Sequence, residues 1–205
     1  MSRPKKTLKR KIGGRPAKKK FYIFSEGQNT EPQYIRAYER RVSSTVLEIV
    51  CEKERGVPKT LLSNARSKKR EIQKNAYIRE NGPDDKVWVV FDKDDHHEVN
   101  EVLKACKAED IEVAFSNPCF EVWLILHLCD YDRDEHRHST QKECEKVCDG
   151  YSRKNGKLPN FDTLLSNVED AEKRAEQQEI RRSTDGGEAP LTTVYKLTKA
   201  MRGEE

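Results

Sequence analysis

The sequence is short of apolar material. Hydrophobic residues make up 34% of its 205 positions, against 37% charged residues and 7% aromatic ones. No apolar stretch approaches the roughly 18–20 residues that a membrane-spanning helix requires, so a membrane protein is not expected. Nothing near the start reads as a secretory leader, because the early basic residues lead into no apolar segment. A glycine-rich phosphate loop ending in Gly-Lys-Ser/Thr is missing, which argues against an ATPase. A fixed repeat is missing too, which excludes solenoids, collagen and long coiled coils. No paired CxxC knuckle is present, although the chain has six cysteines. In a chain without a secretion signal those cysteines are expected to be free thiols in a cytoplasmic protein. Cys129, His136, His138, Cys144 and Cys148 fall close together, but their spacing favours a solvated loop and core thiols over structural zinc.

What is present is charge, unevenly spread. The formal net charge is +4, yet residues 1–20 carry ten Lys/Arg and no acid. The remaining 30 basic and 36 acidic residues give the body a net charge of −6. Such an arm repels itself and cannot build a core, so it is expected to lack fixed structure when unbound. Its Lys18, Lys19 and Lys20 suit nucleic-acid phosphates, where clustered cations release counterions. A merely solubilising terminus is the alternative. Lys68, Lys69 and Arg70 form a second basic run, readable as a backbone clamp for nucleic acid or as a solvated helix face.

The pattern of the body is α/β. Apolar or β-branched runs at 21–24, 45–51, 86–91 and 111–115 read as strands. The run at 86–91 is uniformly apolar after Lys86, as in a parallel strand covered on both faces. Helices are expected from Thr30, with Thr30 as N-cap and Pro32 early. Further helices are expected over 58–79, 97–109, 120–128, 140–149 and 160–178, then a polar linker over 181–190 and a last helix over 191–201. Strands alternating with helices predict a mainly parallel sheet between helical layers. The division expected is a basic arm (1–20), an α/β core (21–130) and a helical C-terminal extension packing on it (131–205).

In an open parallel sheet the ligand site lies beyond the carboxyl ends of the strands. Glu26 stands just after the first strand, and Asp92, Asp94 and Asp95 just after the strand containing Trp88. Adjacent carboxylates repel one another, and a hard divalent cation such as Mg²⁺ or Mn²⁺ relieves that repulsion. The bland alternative is that Asp94 or Asp95 simply caps the following helix. Glu121 approaches the same edge if Asn117-Pro118 closes another strand; otherwise it is a first-turn helix acid favoured by the helix dipole. Asn117 is a candidate cap or phosphate contact. His96, His97 and His127 are weaker site candidates, and His127 reads first as a core histidine.

An apolar strand ending in Glu-Gly, followed by a later strand ending in Asp-x-Asp, resembles the Toprim signature of topoisomerases, primases and nucleases of the overcoming-lysogenization-defect group. Four ordered motifs resemble more closely the RloB-like family: Phe-Ser-Glu-Gly-Gln-Asn-Thr-Glu-Pro-Gln-Tyr (24–34), Val-Val-Phe-Asp-Lys-Asp-Asp-His (89–96), Ser-Asn-Pro-Cys-Phe-Glu-Val-Trp-Leu-Ile-Leu-His (116–127) and Pro-Leu-Thr-Thr-Val-Tyr-Lys-Leu (190–197). The resemblance implies a Toprim-like α/β fold in a bacterial anti-phage defence protein with an ATPase partner. It implies Glu26 as general acid/base and, with Asp92 and Asp94, as a metal ligand; Asp95 is a further metal-ligand candidate and Glu121 a further catalytic one. The expected activity is metal-dependent hydrolysis of phosphodiester bonds in DNA or in RNA such as tRNA. The alternative is a non-catalytic subunit that binds nucleic acid or a partner through a vestigial site. A homo-oligomer is compatible with either. Topoisomerase and primase chemistry are disfavoured, since neither a tyrosine-nucleophile domain nor a nucleotide-binding element accompanies the acids.

Overall fold

A computed structural model describes residues 19–42, 45–51, 58–93, 98–154 and 156–204. Lys18, Asp94, Asp95, His96 and His97 lie outside them. The elements run β1 (Lys19–Ser25), α1 (Thr30–Glu39), β2 (Thr45–Cys51), α2 (Pro58–Ile72), α3 (Asn75–Asn81), β3 (Lys86–Asp92), α4 (Val99–Ala108), β4 (Glu112–Asn117), α5 (Glu121–Leu126), α6 (Arg137–Val147), α7 (Phe161–Leu165), α8 (Val168–Asp185), β5 (Leu191–Thr192) and α9 (Val194–Arg202). The sheet order is β2-β1-β3-β4-β5. The first four strands are mutually parallel, and β5 pairs antiparallel with the end of β4. This is the expected α/β, Toprim-like architecture with C-terminal helices.

Alternation along the strands explains the two layers, because successive side chains leave a strand on opposite faces. Phe21, Ile23, Trp88, Val90 and Ala114 enter a core with Tyr34, Trp123, Leu164, Val194, Leu197 and Met201. Tyr22, Phe24, Val87, Val89, Phe91 and Phe115 enter a second core with Leu61, Leu62, Ala65, Val99, Val102 and Cys106. The central strands are therefore covered on both sides, which is why β3 is apolar throughout its middle. Among the described residues no helix is long and apolar enough to cross a membrane.

Several expected boundaries shift. Lys19 and Lys20, assigned above to the arm, belong to β1. The single helix expected over 58–79 is two helices, broken at Lys74, whose backbone is extended (ψ 138°). The break lets the Tyr77 hydroxyl donate to Asp85 at 2.5 Å while lying 2.6 Å from the Tyr22 hydroxyl. The helix expected over 160–178 is likewise two, and the second runs on through the expected linker to Asp185. Ser183 and Thr184 hydroxyls donate back to the Glu179 and Ile180 carbonyls, and Arg181 and Arg182 pair with Asp132. The helix stops at Gly186, which takes the left-handed conformation (φ 73°) that glycine adopts without steric cost. Strand β5 was not expected; its Thr192 hydroxyl meets that of Ser116 at 3.1 Å.

Candidate active site

Three parallel strands deliver the site. The Glu26 amide donates to the Val90 carbonyl at 3.0 Å, and the Lys93 amide to the Ser116 carbonyl at 2.8 Å. These bonds continue the ladder past the strand ends and fix Glu26, Asp92 and the β4–α5 turn side by side. After β4 the chain turns through Asn117-Pro118, a cis peptide, into α5, whose first residue is Glu121. Glu121 is buried at 4% exposure, and a buried carboxylate needs partners. Tyr151 supplies one, its hydroxyl donating to Glu121 Oε1 at 2.5 Å. Burial, and next the Glu121 charge, push the Tyr151 phenol well up, so it stays a donor. Lys157 Nζ lies 3.9 Å from the same oxygen.

The fourth acid is Glu31, in the first turn of α1. Its carboxyl lies over Gly27: a Cβ at that position would fall 1.9 Å from Glu31 Oε2. Glycine after Glu26 is thus what leaves room for Glu31. Burial pushes Glu31 up to about 7, with Glu121 and Glu26 adding repulsion and Lys157 opposing it. Asp92 is held well above the usual carboxylate range, first by burial and then by Glu31, Glu121 and Glu26, against an N–H bond from Phe120. Four carboxyl groups at one sheet edge therefore act on one another through a poorly solvated space.

The expected residues fare differently. Glu26, Asp92 and Glu121 come together, while Asp94 and Asp95 fall outside the described residues. Glu31, Tyr151 and Lys157 were not foreseen as site residues. Thr30 does not cap α1; its hydroxyl donates to the Lys157 carbonyl at 3.0 Å. Asn117 does not cap α5; its amide donates to the Glu188 carbonyl at 2.6 Å. His127 is a core residue at 1% exposure, between Tyr34 and the Trp123 carbonyl. Cys144 and Cys148 are buried free thiols, whereas His136 and His138 sit at the start of α6 on the surface.

The basic run is not at this edge. Lys69 pairs with Asp110, which just precedes β4, at 2.6 Å. Lys68 pairs with Glu71 at 2.9 Å and lies over the Tyr22 ring. The Arg70 guanidinium donates back to the Arg66 carbonyl. Lys19 and Lys20 open β1, and Lys20 bonds Asn81 and Asp85. All five mark the edge where the strands begin, about 20 Å from the acids for strands of this length. The basic run and the acids therefore do not share one edge of the sheet.

A donor set made only of carboxylate oxygens suits Mg²⁺ or Mn²⁺, and the mutual repulsion of these acids is what such an ion offsets. Among the described residues, however, no three acid, histidine or cysteine side chains close to metal-ligand spacing. The fit is therefore in chemistry and charge, with the carboxylates drawn up around the space rather than locked on a point.

Residues 21–201 match a family model described as RloB-like protein. No curated protein and no solved structure matches the chain.

Proposed function

Since the chain belongs to the RloB-like family, we propose that its carboxylate edge is the active site of a metal-dependent nuclease acting on DNA or on RNA such as tRNA. The observation that carries this reading is the convergence of Glu26, Glu31, Asp92 and Glu121 at the carboxyl ends of β1 and β3 and the turn after β4. Asp92, Glu31 and Glu121 would hold a Mg²⁺ or Mn²⁺ ion, with Glu26 beside them. When bound, that ion supplies Lewis-acid stabilisation of charge developing on the phosphoryl oxygens. Glu26, on the turn after β1, takes the proton from the attacking water. Tyr151 holds Glu121 by its hydroxyl and keeps it from swinging out of the site. A defence role with an ATPase partner follows from the family resemblance and belongs to the same proposal.

The test uses the full chain with end-labelled DNA and tRNA, in Mg²⁺, Mn²⁺ or EDTA. Metal-dependent products are expected, and Glu26→Gln and Asp92→Asn are each expected to lower the rate by at least about a hundredfold with the fold intact by circular dichroism. Full activity in both variants would overturn the reading. The open spacing of the acids favours a second reading, a subunit that binds nucleic acid without cutting it. Saturable binding with no products under any metal condition, alone or with its ATPase partner, would establish that instead.

A further inference from the structure

We propose that Lys157 is the phosphate-contacting residue of this site, presented to the nucleic-acid backbone by the turn that ends at Gly156-Lys157. The inference rests on the nuclease reading and names the group that receives the substrate.

Hydrogen bonds hold Lys157 and the residues that flank it. The Lys157 amide donates to the Ser152 carbonyl at 2.9 Å, and the Asn160 amide to the Asp149 carbonyl at 2.8 Å. The buried Thr30 hydroxyl, at the start of α1, donates to the Lys157 carbonyl. Lys157 itself is left-handed (φ 58°), a conformation uncommon and strained for a long side chain. A residue held there through both its amide and its carbonyl points its side chain where an ordinary loop would not. That direction is towards the acids: Nζ is 3.9 Å from Glu121 Oε1, and its charge acts on Glu31 as well. The side chain keeps about a third of its surface exposed (34%), so the ammonium bridges the carboxylates and solvent. Among the described residues, Lys93 is turned to Glu188, Lys59 to Glu98 and Arg153 to Glu145.

A phosphodiester arriving at four carboxylates meets repulsion, which a bound divalent ion offsets only from the protein side. An ammonium at the open face of the cluster offers a non-bridging phosphate oxygen a charge-assisted hydrogen bond. At 3.9 Å Lys157 makes no hydrogen bond to Glu121, which keeps the Tyr151 bond, so the ammonium can turn to a phosphate oxygen without stripping Glu121 of its hydrogen-bond donor.

The experiment uses the full chain and two variants, Lys157→Asn and Lys157→Arg. Asparagine tolerates left-handed backbone, so it removes the charge without removing the turn. Binding of a fluorescein-labelled single-stranded oligonucleotide is followed by anisotropy with Ca²⁺ replacing Mg²⁺, and Mn²⁺ binding to the protein alone by calorimetry. Lys157→Asn should weaken oligonucleotide binding by about ten- to a hundredfold and leave Mn²⁺ affinity equal or tighter; Lys157→Arg should recover most of the binding. Unchanged oligonucleotide affinity in Lys157→Asn, with altered Mn²⁺ affinity or melting temperature, would make Lys157 only a structural counter-charge for Glu121. Cleavage by wild type with equal cleavage and binding by Lys157→Asn would remove Lys157 and spare the nuclease. Wild type that neither binds nor cuts nucleic acid would remove both.

Discussion

His127 shows how far a single environment sets a single residue. Its Nδ1 lies 2.8 Å from the Trp123 carbonyl, which can only accept, so Nδ1 carries the proton. Nε2 therefore accepts from the Tyr34 hydroxyl at 3.0 Å. A second ring proton would place a charge in the core, and burial lowers His127 to about 4. The unfolded chain takes up that proton near pH 6.5 and the folded chain refuses it until about 4. Stability from this group is thus complete above pH 6.5 and drains away as pH falls towards 4. Glu31 works in the opposite direction over part of the same window, because a raised carboxyl is protonated in the fold and ionised in the unfolded chain. The measurement is accordingly a difference. Wild type should exceed His127→Gln in unfolding free energy at pH 7, and the gap should narrow by about 2 kcal/mol at pH 5. A gap independent of pH would mean the histidine titrates normally in the fold. The serial reading of this residue, a core histidine on the helix after Pro118, already contained the answer, since it sits among Trp123, Leu124 and Ile125.

At the scale of elements, the joint between α8 and α9 depends on a buried acid. Glu172 is 2% exposed and accepts from Arg202 through both oxygens at 2.7 and 2.8 Å and from the Thr198 hydroxyl at 2.6 Å. Arg202 also donates to the Tyr38 hydroxyl at 2.9 Å, which ties the joint to α1. Glu172→Ala leaves the guanidinium with Glu204 on the outside and only the Tyr38 hydroxyl within, and should cost about 3 kcal/mol in urea unfolding. Glu176→Ala, which breaks the exposed pair with Lys199, should cost under about 1 kcal/mol. Equal effects would show that burial adds nothing to the Arg202 pair. Strands and helix cores were legible locally, because periodicity and apolar runs express which face is buried. Boundaries that depend on distant partners were not. The break at Lys74 answers to Asp85 and Tyr22, and the extension of α8 past Arg181 answers to Asp132. Strand β5, two residues long, exists only because β4 offers it an edge.

The site repeats that division across the whole molecule. Glu26, Asp92 and Glu121 could be read as strand-end and turn residues because the parallel sheet converts chain order into a common edge. Glu31 carried an ambiguous signal, since an acid in a first helical turn needs no further reason to be there. Tyr151 and Lys157 are about thirty residues beyond Glu121 and reach it through α6 and a turn whose direction no local pattern encodes. The basic run divides in the complementary way: it was legible as charge, while its position at the opposite edge follows from α2 running back along the sheet. The same closure makes the chain's last third part of the fold. Val194, Leu197 and Met201 are each buried at 1% or less, in the same cluster as Phe21 and Tyr34, and burying one such side chain contributes about 1.5–3 kcal/mol. Three of them approach the whole net stability of an ordinary domain, about 5–15 kcal/mol. Strand β5 adds its pairing with Ser116 and Asn117, next to the carbonyl that holds the Lys93 amide. A chain ending at residue 189 should therefore lose its cooperative urea transition and bind a hydrophobic dye. It should also lose any Mn²⁺-induced rise in melting temperature, because the edge that gathers the acids is set by the strands those residues secure. A truncated chain that unfolds cooperatively with a wild-type metal response would show that β1 to β4 and α1 to α8 suffice, and that the closing helix serves some purpose other than building the site.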